Sequence, residues 1–289
     1  MSHARTVVLT SLAMLAFAGN SLLCRVALKH TSIDAASFTS IRLVSGAFVL
    51  WLIVRITRGA RAPSGGGNWR SAFALFAYAA GFSFAYISLP AATGALLLFG
   101  AVQATMIGHG IWSGERLRRA QLVGLVLALG GVIGLLLPGL SAPPLLGSAL
   151  MLGAGIAWGI YSLRGKGAGD PLQVTAGNFL RAAPLAAGLS LWMMDSASPD
   201  RAGFWYAVSS GALASGIGYA IWYTALPALR ATNAATVQLS VPVIAALGGV
   251  LFLGESLTLR LVLASLAILG GIALVILVKR DANDTINTT

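Results

Sequence analysis

Ten stretches of this chain each run for 19 to 24 residues with few charges: 6–28, 35–57, 70–88, 91–113, 119–137, 144–163, 172–194, 202–225, 231–253 and 258–278. About 20 apolar residues are what a helix needs to cross roughly 30 Å of hydrocarbon. Only helices and closed barrels cross lipid, because every backbone N–H and C=O must be paired inside the protein. Barrel strands alternate in polarity. These runs are continuously apolar, so the expected fold is an all-α membrane protein with ten transmembrane helices.

Composition excludes the soluble alternative. Charged residues make up 9% of the chain and hydrophobic ones 57%, against about 25% and 45–50% in soluble domains. Too few charges remain to coat a water-facing surface. The net charge of +11 raises the question of nucleic acid, but the basic residues form no single patch and no nucleic-acid partner is expected. They sit at the ends of the runs instead. Thirteen of the 19 fall on the side that also holds both termini, four on the opposite side, and Arg42 and Arg181 lie inside runs two and seven. Basic loops stay in the cytoplasm, so both termini are expected there. The first run continues past Asn20 to Leu28 and reads as a retained helix rather than a cleaved signal. Cys24 is the sole cysteine, which excludes an intrachain disulfide. No metal site or cofactor is called for.

The chain also repeats itself. GERLRRAQLVGLVLALGG from Gly114 and GESLTLRLVLASLAILGG from Gly254 align without a gap. AFAGNSL from Ala16 matches AWGIYSL from Ala157, Arg42 matches Arg181, YISLP from Tyr86 matches YTALP from Tyr223, and AATGALLLF from Ala91 matches ATNAATVQL from Ala231. The expected organisation is therefore two five-helix repeats, 1–140 and 141–289. Five is odd, so the second unit must begin on the opposite side of the membrane. An inverted-topology repeat of this kind can present one site to either side.

On these residues the chain resembles the drug/metabolite transporter superfamily in its ten-helix EamA-type branch. Within it, the chain is similar to bacterial inner-membrane exporters of aromatic amino acids. The resemblance implies export from the cytoplasm. A proline in the fourth helix of each unit belongs to the family pattern. Pro242 supplies it in the second unit, while Val102 stands at the aligned place in the first.

Polar groups within lipid are costly and face a cavity or another helix. Tyr78, Phe82 and Tyr86 recur every fourth residue on one helical face, and Ser215, Tyr219, Trp222 and Tyr223 form the equivalent face in run eight. With Trp158 and Tyr161 they can line a midplane cavity for flat, amphipathic solutes, whose polar ends would meet Asn20, Gln103, Asn178 and Gln238. Lipid-facing aromatic belts are the other reading. Pro242 frees the carbonyl of Gln238 and predicts a kink, as hinge or contact. Arg42 and Arg181 either snorkel or pair with loops, or else attract a carboxylate. His109, near a cytoplasmic end, is the one group within a run suited to carry a proton, and no Asp or Glu falls mid-membrane. Glu115 and Glu255 are expected to meet the N-termini of the helices that follow them. Gly124, Ala128 and Gly131 in run five, and Ala264, Ala267 and Gly271 in run ten, are small residues at near-helical spacing that let backbones approach closely. No H-E-x-x-H or G-x-S-x-G motif is present, so an enzyme is not expected. The expected partners are a small solute and membrane lipid. The oligomeric state is left open, a monomer being compatible with the pattern. A proton-coupled drug antiporter and an intramembrane enzyme are the alternative functions.

Overall fold

The computed structural model describes residues 2–58, 66–114, 117–139, 141–165, 169–229 and 231–286, and every regular element among them is helical. Seven runs each become one helix: α1 (His3–His30), α2 (Ala35–Arg58), α3 (Trp69–Tyr86), α4 (Ala91–Trp112), α5 (Arg119–Leu136), α6 (Leu145–Gly165) and α7 (Pro171–Trp192). The last becomes α12 (Leu259–Ile286), which continues past the apolar run.

Runs eight and nine are not single α-helices. Run eight divides into α8 (Arg201–Ser209), a π-helical stretch (Ser210–Ile217) and α9 (Gly218–Ala225). Run nine divides at Leu239 into α10 (Ala231–Gln238) and α11 (Ser240–Leu253). Pro242 explains the second break, since it has no N–H to bond the Gln238 carbonyl. Among the described residues, seven helices are long and apolar enough to cross a membrane. The helices of runs three, seven and eight fall outside that set; run seven carries Asn178, Arg181 and an internal Pro184.

Local signals fix the helix ends. Asn68 accepts from Ser71 N at 2.9 Å to start α3, and Asp170 accepts from Leu172 N at 3.0 Å to start α7. The repeated glycines end helices: Gly254 follows α11 at φ +61° and Gly114 lies just past α4 at φ +91°, a region that side chains avoid.

α4 is the most enclosed helix, buried continuously from Ala91 to Gln103. α2 packs on α7, α5 on α12, α3 on α6, and α1 on the α8–α9 stretch. The α5–α12 contact runs through the expected small residues. A side chain at Gly124 would lie 2.6 Å from the Gly271 carbonyl, and one at Gly131 would lie 2.8 Å from Ile268. Large apolar side chains such as Val126, Ile133, Leu263 and Leu266 face outward, as lipid requires.

The two Gly-Glu turns mark opposite ends of the bundle. Glu255 Oε2 accepts from Ala91 N, at the start of α4, at 2.8 Å. Gly114 follows the other end of α4, 22 residues or about 33 Å away. The sequence places Glu255 at the N-terminus of the helix after it, α12. The carboxylate instead meets the positive end of α4, because the chain turns back over that helix. Glu115 lies outside the described residues.

Candidate functional site

A cavity of about 480 Å³ opens among α1, α3, α4, α6, α7, the π stretch, α9 and α10. Its wall includes all ten residues singled out as solute contacts: Asn20, Tyr78, Phe82, Gln103, Trp158, Tyr161, Asn178, Tyr219, Trp222 and Gln238. A lipid-facing belt would leave its rings exposed, yet Tyr78, Phe82 and Tyr219 are buried.

Trp158 is the hub of the aromatic wall. It stacks on Tyr219 with centroids 5.4 Å apart and planes 17° from parallel, and it also meets Tyr161 at 5.3 Å and Tyr78 at 4.8 Å. Phe17 also meets Tyr219, at 5.6 Å. Hydrogen bonds lock the amides. Asn20 donates to Tyr78 Oη at 3.4 Å and accepts from Ser210 Oγ at 2.6 Å. Asn178 donates to Tyr161 Oη at 3.4 Å and accepts from Asn68 N at 2.9 Å. Gln238 bonds within its own helix, to Ala234 O at 3.3 Å.

Among the described residues, the cavity lining extends to one end of the bundle. α6 begins beside Ser88 and Leu89, after the end of α3, and finishes some 30 Å away at Gly165. Gly165 lines the cavity, together with Pro171 at the start of α7 and Leu229 after α9. The opposite end is fastened. Arg25 Nε meets Glu255 Oε1 at 3.1 Å, and both side chains are nearly enclosed. Arg25 Nη1 also donates to the carbonyls of Tyr86 at 2.9 Å and Ile87 at 3.0 Å. One clasp thus joins α1, the end of α3, the start of α4 and the turn after α11.

The residues singled out for coupling or gating are dispersed. Arg181 Nη1 bonds two backbone carbonyls, Gly66 at 2.8 Å and Gly177 at 2.9 Å, which is the loop pairing considered above. Arg42 does not snorkel: it is 2% exposed and lies behind the cavity wall, donating to Tyr78 Oη at 3.0 Å. His109 is exposed near the end of α4, outside the cavity wall, with Ser113 Oγ 3.5 Å away. Pro242 is buried in α11, four residues past Gln238.

Sequence reasoning passed over Phe17, Arg25 and Ser210. Phe17 was within reach, since it is the repeat counterpart of Trp158. Arg25 and Ser210 gave no local signal, because their partners are 230 and 190 residues away.

A helical membrane protein with an aromatic and amide-lined cavity, open at one end and clasped at the other, defines a carrier of small solutes rather than an enzyme. Residues 145–277, a little under half of the chain, match the EamA-like transporter family. It is 60% identical to an uncharacterized protein of Pseudomonas aeruginosa over 96% of each chain. It is 36% identical to the threonine/homoserine exporter RhtA of Salmonella typhimurium, and spans about half that relative's length (53% of each chain). The Escherichia coli K12 exporter of the same name is 33% identical over 49% of each. A solved crystal structure superposes with a TM-score of 0.67 over 96% of this chain and 99% of its own. At 20% identity that likeness is one of fold alone.

Proposed function

We propose that this chain exports small amphipathic amino acids and related metabolites from the cytoplasm, by alternating access between inverted five-helix repeats 1–140 and 141–289, with ten spans in a bacterial inner membrane. The observation that carries the reading is the cavity that reaches one end of the bundle while Arg25 and Glu255 clasp the other. With both termini in the cytoplasm, its mouth faces inward.

The repeat reading draws support from the packing. α3 on α6 has its counterpart in α1 on α8–α9, and the pairs α2–α7 and α5–α12 each join equivalent helices. The counterparts Phe17 and Trp158 both lie against Tyr219. Closing such a cavity at its mouth and opening it at the clasp is the rocking motion that inverted repeats permit.

The stacked rings favour a flat side chain, hence aromatic amino acids as solutes. A second reading, small hydroxylated amino acids, is favoured by the similarity to the threonine/homoserine exporters. No carboxylate lines the described cavity and His109 stands outside it, which favours facilitated export over proton antiport.

Counterflow in proteoliposomes tests the reading, with labelled L-phenylalanine and L-threonine. Tyr78→Ala and Tyr219→Ala are each expected to slow the accepted solute at least about tenfold, the scale of one lost aromatic anchor. Unchanged counterflow in both variants would remove the cavity from the mechanism.

A further inference from the structure

Arg42 is a buried cation that no carboxylate among the described residues pairs with. Its side chain enters the interior from α2 and is 2% exposed. Nη2 donates to Tyr78 Oη at 3.0 Å, while Nε and Nη1 have no hydrogen-bond partner. The guanidinium carbon lies 4.8 Å from the Phe82 ring centre and 5.2 Å from that of Tyr78. Ring faces compensate part of the lost hydration. Among the described residues the ion pairs are Arg25–Glu255 and Arg58–Asp170, and neither includes Arg42. An enclosed guanidinium with two idle donor nitrogens is costly unless an acceptor arrives from outside the chain.

A second, separate observation points to the same acceptor. Ser215 lines the cavity, is 2% exposed, and its hydroxyl also lacks a partner. It belongs to the π stretch, which lies directly against α2. Gly211 there touches the Arg42 carbonyl and Ser45 Oγ so closely that no side chain fits. Tyr78 joins Arg42 to the cavity that Ser215 also lines. Its hydroxyl accepts from Arg42 and Asn20, so its own proton is left to donate, and the ring is part of the cavity wall.

We infer that the deep end of the cavity, at Tyr78, Asn20 and Ser215 with Arg42 behind them, is a carboxylate-binding site. The inference rests on the transporter reading and specifies its solute. The Tyr78 and Ser215 hydroxyls donate to the carboxylate, and Arg42 supplies the balancing charge through Tyr78. One guanidinium balances one negative charge, so the site takes a monoanionic carboxylate rather than a phosphate dianion. It discriminates against the same solute with that group neutralised. Arg42 and Tyr78 thereby become specificity-determining residues.

The test compares binding with transport on the full chain. Tryptophan fluorescence reports binding, because Trp158 and Trp222 stand in the cavity wall. The probes are L-phenylalanine against L-phenylalaninamide, and L-threonine against L-threoninamide. The wild-type protein is expected to bind the acid of at least one pair about tenfold or more tightly than its amide. Arg42→Gln is expected to weaken the acid by a similar factor, leave the amide within about twofold, and so erase the preference. Arg42→Lys restores part of it. Tyr78→Phe, which keeps the ring, shifts the preference in the same direction as Arg42→Gln and carries the test should Arg42→Gln not fold. Equal binding of acid and amide by the wild type, or equal weakening of both in Arg42→Gln, overturns the inference. Counterflow separates the two readings: acid preference without counterflow keeps the site and removes transport, while counterflow without acid preference keeps transport and removes the site.

Discussion

Asp34, in the turn between α1 and α2, shows how a single side chain joins distant segments of this fold. Its Oδ1 accepts from Ser37 N at 2.8 Å and its Oδ2 from Ser198 N at 3.0 Å, so it starts α2 and holds the segment before α8. Partial burial pushes its carboxyl upward, but the donated N–H bonds outweigh this and hold it below the usual carboxylate range. A lowered folded value contributes stability above the unfolded pKa, and that stability is lost as pH falls through the folded value. Asp34→Asn keeps an oxygen for Ser37 N but sets an amide N–H against Ser198 N, so it should lower the melting temperature at pH 7 by the loss of that bond, about 1 kcal/mol. The gap from wild type should narrow below about pH 4. A gap that stays constant from pH 7 to pH 3 would show that the charge contributes nothing. At this scale the cavity rings were legible, because spacing of four on a helix puts them on one face. Arg25, Glu255 and Ser210 were not, because their roles come from groups brought alongside by folding.

Whole elements were largely readable from the period and length of the apolar runs, and the departures have local causes. Eight of the ten runs each formed one helix, and Pro242 foretold the break in run nine. The π stretch had no comparable signal. It forms where Gly211 lets the backbone approach α2, and that contact exists only in three dimensions. The glycines of α5 and α12 were legible as a set but not individually. Gly271 presses on Ala128 N, where an added side-chain carbon would lie 2.7 Å away, whereas adjacent Gly270 has open space. Gly271→Val should cost about 1–3 kcal/mol by overpacking and lower the melting temperature of the purified protein. Gly270→Ala should not. Equal effects from the two would mean that α5 and α12 do not depend on close approach.

At the scale of the whole molecule, the cavity opens toward one end and the clasp fastens the other, and Cys24 stands next to the clasp. Cys24 is fully enclosed and precedes Arg25 directly. It is also the chain's only thiol. On the proposed alternating-access cycle, the protein thus carries an intrinsic reporter at the barrier that has to open. A membrane-permeant maleimide should modify the wild type slowly in the conformation described. Glu255→Gln, which deprives Arg25 of its charge partner, should raise that rate several-fold, and an accepted solute should raise it in the unaltered chain. A label that attaches equally slowly in all three conditions would mean that the far side of this bundle does not part there. If the rates differ, one sulfur atom suffices to time the conformational cycle, with no foreign probe introduced.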